Sequence, residues 1–220
     1  MKNYKSIAAF SKQCQRISAS VLDDFLISYV ASQKKFSRII KKSRKYKHIF
    51  QELQPELPEL FITQLLAHQI FKENGMIRSL LNHRAVKDST PEEYEYLQLM
   101  AELPWRFSFS TIEVHPEKKN YLMKDAFSGE EFLLHSESIT TLLTTENPVL
   151  WLNLIGFNGR CWQTFGPVVY FQGFTSDDIF FFATERNHDI ENDADLIKSL
   201  QKNSLPYMML ISGAKLPHFL

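Results

Sequence analysis

Residues 156–170 read GFNGRCWQTFGPVVY, and the Asn158-Gly159 pair inside them decides how the second half of the chain is read. Asn-Gly is a strong two-residue hairpin signal, because both positions tolerate positive φ. A tight turn there sets Phe157 opposite Arg160, Ile155 opposite Trp162 and Asn153 opposite Thr164 on one side of a sheet. On the other side Gly156 faces Cys161, Leu154 faces Gln163 and Leu152 faces Phe165. The stretch is read as a β-hairpin, with Cys161 inside its second strand.

Strands continue on either side of it. Upstream, WRFSFSTIEV (105–114) alternates Phe107 and Phe109 with serines, then shifts phase to Ile112 and Val114. Such a phase shift marks a β-bulge. A polar loop HPEKKN, a strand YLMKD, a glycine turn AFSGEE and a strand EFLLH follow, then a short helical turn in SITTLLTT. Downstream of Gly166-Pro167, VVYFQGF and IFFFATE are apolar on both faces and read as covered central strands, separated by a Thr-Ser-Asp-Asp turn. A helix over roughly 190–202 and a last apolar strand, PYMMLIS, complete this half.

The first 103 residues have a helical texture. SASVLDDFLISYVASQ and KKFSRIIKKSRKYKHIFQEL space their apolar residues at helical intervals. ELFITQLLAHQIFKEN ends at Gly75, a C-terminal stop. A shorter helix follows in MIRSLLNHRAV. The next carries Thr90 as N-cap, Pro91 at its first position and Glu92 and Glu93 in its first turn, and Pro104 closes it. The expected fold is α+β: a helical region 1–103 and a mainly antiparallel β region 104–220 with one late helix. These are two regions or one continuous domain. The apolar end PYMMLISGAKLPHFL packs on the body, meets a partner through its strand and tail to form an oligomer, or marks a chain that continues beyond Leu220.

Composition bounds the class. With 220 residues, 44% hydrophobic and 23% charged, the chain is ordinary for a globular protein with a sizeable core. Two cysteines, Cys14 and Cys161, make no disulfide framework and suit a reducing compartment. No apolar run is long enough for a signal peptide or a membrane span. The sequence therefore reads as a soluble cytoplasmic protein. The net charge of zero conceals a split: residues 1–50 hold twelve Lys/Arg against Asp23 and Asp24, and the other 170 hold thirteen against twenty-three Asp/Glu.

Short catalytic motifs are missing. There is no H-E-x-x-H, C-x-x-C, phosphate-binding glycine loop or nucleophile elbow, so no metal site and no cofactor is expected. GRCW lacks the signature of a papain-like nucleophile, and Cys161 reads as a buried strand residue. An enzyme would need a site assembled from distant residues, for which His115, Asp125, His135 and Cys161 are the candidates. Asp177-Asp178 and the acidic residues 189–195 have structural explanations as turn and helix-start residues.

One feature rises above this background. No acidic residue lies between Asp24 and Glu52, while eight cations fall within the fourteen positions 34–47. On a helix Lys34, Arg38, Lys41, Lys42 and Lys45 share a face, with Lys35 beside them, opposite the Phe36/Ile39/Ile40/Tyr46 stripe. Such a surface suits nucleic-acid phosphates, an anionic membrane surface or an acidic protein face. It also suits a solvated face compensated by the acidic half of the same chain. The sequence thus favours a binding protein over an enzyme, with a structural or assembly role through the apolar C-terminus as the third class.

Overall fold

The computed structural model describes residues 3–21, 57–117, 119–137, 139, 149–208 and 210. The predicted basic helix, the SITTLLTT segment apart from Ile139, and the tail beyond Leu210 lie outside them. Helix α1 (Tyr4–Ser18) begins at Asn3, whose side chain accepts from the Ser6 N–H. Helix α2 (Leu57–Phe71) is followed by two single turns, α3 (Ile77–Leu80) and α4 (Arg84–Lys87), where the sequence suggests one short helix. Helix α5 (Pro91–Glu102) has the expected start: Thr90 and Glu93 form a reciprocal capping box, with Pro91 in the first turn.

Among the described residues of the second half there are five strands: β1 (Trp105–Glu117), β2 (Asn120–Asp125), β3 (Glu131–His135), β4 (Val149–Phe157) and β5 (Trp162–Gln172). They close into a barrel in the order β1-β2-β3-β5-β4. Every neighbouring pair is antiparallel except β3 and β5, so the sheet is mainly antiparallel, as expected. β1 is long enough to pair with both β2 and β4, and its register with β2 shifts between Ile112 and Val114. That bulge lies where the alternation changes phase, because the extra residue re-aims every side chain after it.

The β4–β5 hairpin differs from the tight-turn reading by two residues. Phe157 pairs with Trp162, Gly156 with Gln163, Ile155 with Thr164 and Leu154 with Phe165. The turn holds four residues, 158–161, closed by the Asn158 N–H donating to the Cys161 carbonyl at 3.0 Å. A slip of two residues preserves the faces, so the apolar pattern is blind to it. Cys161 is the last residue of the turn and not a strand residue.

The barrel has two cores. Inside it, Tyr121, Met123, Phe132, Leu134, Trp151, Ile155 and Trp162 form one cluster. Outside it, Phe107, Phe109, Leu152, Leu154, Val169 and Phe171 pack against helical residues that include Leu66, Ile70, Leu97 and Leu196. This outer cluster draws on both the 1–103 and the 104–220 regions. β4 is the strand covered on both faces; β5 is not, since Tyr170 stays 42% exposed.

Two predicted strands are helical. IFFFATE belongs to α6 (Ser176–Arg186), and residues of PYMMLIS form the single turn α8 (Leu205–Met208) after α7 (Asp193–Lys202). Three late helices thus stand where one is expected, and the described part of the C-terminal segment offers no strand for pairing with a second copy. The reason for α6 is local as well as tertiary. Thr175 and Asp178 form a second capping box, and only Ile179, Phe182 and Ala183 are buried while Phe181 is 57% exposed.

Gln201 of α7 positions this layer. Its amide accepts from the Phe107 N–H at 2.9 Å and donates to the Phe107 carbonyl at 2.7 Å. β2 pairs with β1 only from Ser110 onward, so Gln201 satisfies the β1 edge where no strand does.

Candidate functional site

A cleft of about 780 Å³ opens where the start of β1 meets the ends of three helices. Its walls come from α2 and the turn after it, the first turn of α3, the end of α5 with Leu103-Pro104, and the last turns of α7. The volume is in the range of small-molecule sites. Gly75 shapes this corner through close approach: a Cβ there would lie 2.4 Å from the Ile70 carbonyl oxygen. The positive φ of the turn falls on Asn74, at 56°. Gly75 therefore ends the helix by letting the backbone pack close, not by adopting the left-handed conformation itself.

Trp105 forms one wall. It stacks on Phe71 at 4.5 Å and lies flat against Gly156, where a Cβ would meet its ring at 2.6 Å. His68 meets Phe107 edge-on at 4.9 Å. Trp105 is 4% exposed and His68 1%, yet among the described residues neither Trp105 Nε1 nor His68 Nε2 has a hydrogen-bond partner. Burial, aided by the nearby Lys72 charge and opposed by Gln201, lowers the His68 pKa to about 4. The imidazole is neutral at pH 7. Lys72, one helical turn on, has its pKa lowered by burial.

Five cations line the cleft: Lys72, Arg78, Arg106, Lys198 and Lys202, against Glu73 and Glu102. Two of the five are committed elsewhere. Arg106 pairs with Glu130 at 2.6 Å and covers the Trp162 ring at 4.7 Å, and Lys198 pairs with Asp195 at 3.3 Å. Among the described residues Lys72, Arg78 and Lys202 form no ion pair.

The residues weighed from sequence as an assembled catalytic site are divided between two ends of the barrel. Cys161 lies under α1 in a polar knot. Its Sγ is 3.2 Å from Ser11 Oγ, and Asn158 Nδ2 donates to Ser11 Oγ at 3.0 Å and to Gln163 Oε1 at 2.9 Å. Asn158 Oδ1 accepts from the Arg160 and Cys161 N–H groups, each at 3.0 Å. Burial raises the Cys161 pKa, against the hydrogen bonds of Ser11, Asn158 and the His135 backbone. Cys14, one turn beyond Ser11 on α1, is pushed up to about 11 by burial and by the neighbouring Cys161. The fold thus brings together two cysteines that the sequence sets far apart, both as buried free thiols. A raised pKa suppresses the thiolate that nucleophilic chemistry needs.

His135 sits on the strand next to Cys161, with its backbone turned to the thiol. Its ring is buried; Nδ1 is 3.3 Å from Asn120 Oδ1, and Nε2 is 3.7 Å from Glu137 Oε1. Burial first, then the Lys119 charge, lowers its pKa, so the Glu137 contact is not an ion pair at neutral pH. Glu137 is paired with Lys119.

Asp125 lies at the opposite end of the β2–β3 hairpin from Asn120 and His135, roughly 16 Å away at about 3.3 Å per residue. It accepts from Ser108 Oγ at 2.7 Å and from the Phe127 and Ser128 N–H groups, holding the turn closed. His115 is placed in β1, with its side chain outside the described part. Among the described residues no three His, Cys, Asp or Glu side chains gather as a metal site. No helix among them is long and apolar enough to cross a membrane.

The partner-binding candidates Lys34, Lys35, Arg38, Lys41, Lys42 and Lys45 lie outside the described residues. The cleft escapes sequence reading because its residues come from 68–78, 101–106 and 197–202. The visible hint is the run of cations after α2 and at the end of α7. Comparison with known protein families, with curated proteins and with solved structures finds no match to this chain.

Proposed function

We propose that this protein works by binding an acidic macromolecule, nucleic acid being the partner favoured, with residues 34–47 as the contact surface and the barrel as scaffold. The observation that carries the reading is the charge density: eight cations in fourteen positions, with no carboxylate between Asp24 and Glu52. The helices on either side of this segment are both tied to the barrel. α1 is held by the Ser11–Asn158–Cys161 knot and by Arg160 over Phe10 at 4.2 Å. α2 is held by Gln64 donating to the Phe165 carbonyl at 2.8 Å. A basic segment between two helices that are each held on the barrel loses less freedom on binding than a free tail.

Small closed Greek-key barrels of five strands include the oligonucleotide-binding OB-fold, an analogy of architecture alone. The β4–β5 turn that such barrels use for contact is here covered by α1, which shifts the expected contact to the basic segment. The acidic half does compensate part of the basic half: Arg16 reaches Glu92 at 3.4 Å.

The test is binding of a fluorescent mixed-sequence single-stranded oligonucleotide across a salt series, with the K41E/K42E/K45E variant alongside. Affinity should fall steeply with salt and be lost in the variant while its thermal transition is kept. Absence of binding at low salt, or binding indifferent to both salt and charge reversal, overturns the reading.

A further inference from the structure

We propose that the cleft at the start of β1 is a binding site for a small organic phosphate, independent of the contact made by residues 34–47. Three cations without an ion pair among the described residues, Lys72, Arg78 and Lys202, reach it from three separate segments. Cations spread in this way suit a ligand carrying more than one negative charge, and a phosphate group presents three strong acceptor oxygens. The C-terminal dipoles of α2 and α7 explain why lysines stand at these positions. They give the ammonium groups no anionic partner.

A second, separate observation points the same way. Trp105 Nε1 and His68 Nε2 belong to wall residues more than nine-tenths buried, and both lack a partner among the described residues. A buried indole N–H left unpaired is costly, and a ligand oxygen that reaches it removes that cost; on the neutral His68, Nε2 donates in one tautomer and accepts in the other. Lys72, whose charge is disfavoured by burial, likewise gains from an anion beside it.

Size and lining set the ligand class. At about 780 Å³ the cleft is far larger than a phosphate ion, and Phe71, Ile77, Leu103 and Ile197 offer apolar surface to a carbon skeleton. The exposed Glu73 and Glu102 oppose a continuous polyanion crossing the cleft, which favours a small ligand over a polymer.

The experiment uses the full chain labelled with nitrogen-15 and follows the indole N–H signals of Trp105, Trp151 and Trp162, assigned by single Trp→Phe replacements. Inorganic pyrophosphate is the first probe and glucose 6-phosphate the second. The Trp105 signal should move and saturate while the other two stay in place. K72Q/R78Q/K202Q should weaken the effect by about tenfold or more, which is 1.4 kcal/mol or more. Glucose 6-phosphate should bind more tightly than inorganic phosphate titrated alongside it, because its carbon frame meets the apolar wall.

Sodium chloride at matched ionic strength should leave Trp105 unmoved. Three results overturn the proposal: no saturable shift of Trp105 up to about 10 mM probe, an equal shift with chloride, or full retention of the shift in the triple variant. Displacement of pyrophosphate by an unphosphorylated oligonucleotide also overturns it, since the cleft would then belong to a polymer-binding surface.

Discussion

Replacing Asn158 by alanine tests whether the β4–β5 turn is built as described. In the four-residue turn its carboxamide is fully buried and makes four good hydrogen bonds: two accepted from backbone N–H groups, and two donated to Ser11 and Gln163. Alanine leaves the buried Cys161 N–H unpaired, at a cost of about 1–3 kcal/mol, and removes two side-chain bonds worth about 1 kcal/mol each. Allowing the Arg160 N–H to be rehydrated, the loss is about 3–5 kcal/mol. For a protein of this size that lowers Tm by about 6–20 °C.

Ser11→Ala removes one member of the knot and should cost about 1 kcal/mol. Thermal and urea unfolding followed by circular dichroism measure both. In a tight two-residue turn Asn158 would project into solvent, and its replacement would cost about 1 kcal/mol, the preference of asparagine over alanine at positive φ. An Asn158→Ala protein destabilised by about 1 kcal/mol or less, or a Ser11→Ala protein destabilised as much as Asn158→Ala, refutes the knot.

Two further outcomes follow from the fold. His68 has a folded pKa lowered to about 4 against 6.5 for the free side chain. The unfolded chain therefore binds this proton first, so stability is complete above pH 6.5 and is lost as pH falls towards 4, by about 3 kcal/mol in all. Urea midpoints measured from pH 7.5 to 4.5 should show that slope, and His68→Gln should flatten it; an unchanged slope in the variant refutes the assignment. In α6, Phe181→Asp should change stability by less than about 0.5 kcal/mol, and Phe182→Asp should cost about 3 kcal/mol or more, because only the second is buried. Equal damage from both would mean that IFFFATE is a covered strand after all.

The sequence by itself determined whatever rests on near neighbours. The strand positions of β1, β2 and β3, the bulge in β1 and the capped start of α5 all follow from alternation, phase and capping chemistry within a few residues. The second capping box, Thr175 with Asp178, was equally present in the sequence. There the long apolar run IFFFATE pointed to a strand, since a short apolar run is ambiguous between a buried strand and a helix.

Only the tertiary structure decided the rest. The register of β4 against β5 is invisible to apolar patterning because a two-residue slip keeps every side chain on its face; the Asn158 carboxamide, satisfied by Ser11 from 147 residues away, is what the packed turn adds. The meeting of Cys14 with Cys161 and the cleft around Trp105 arise in the same way. Steric preference and capping act along the chain and leave their mark in local sequence. Which charge stays unpaired, and which polar atom is shut off from water, depends on what packs against it.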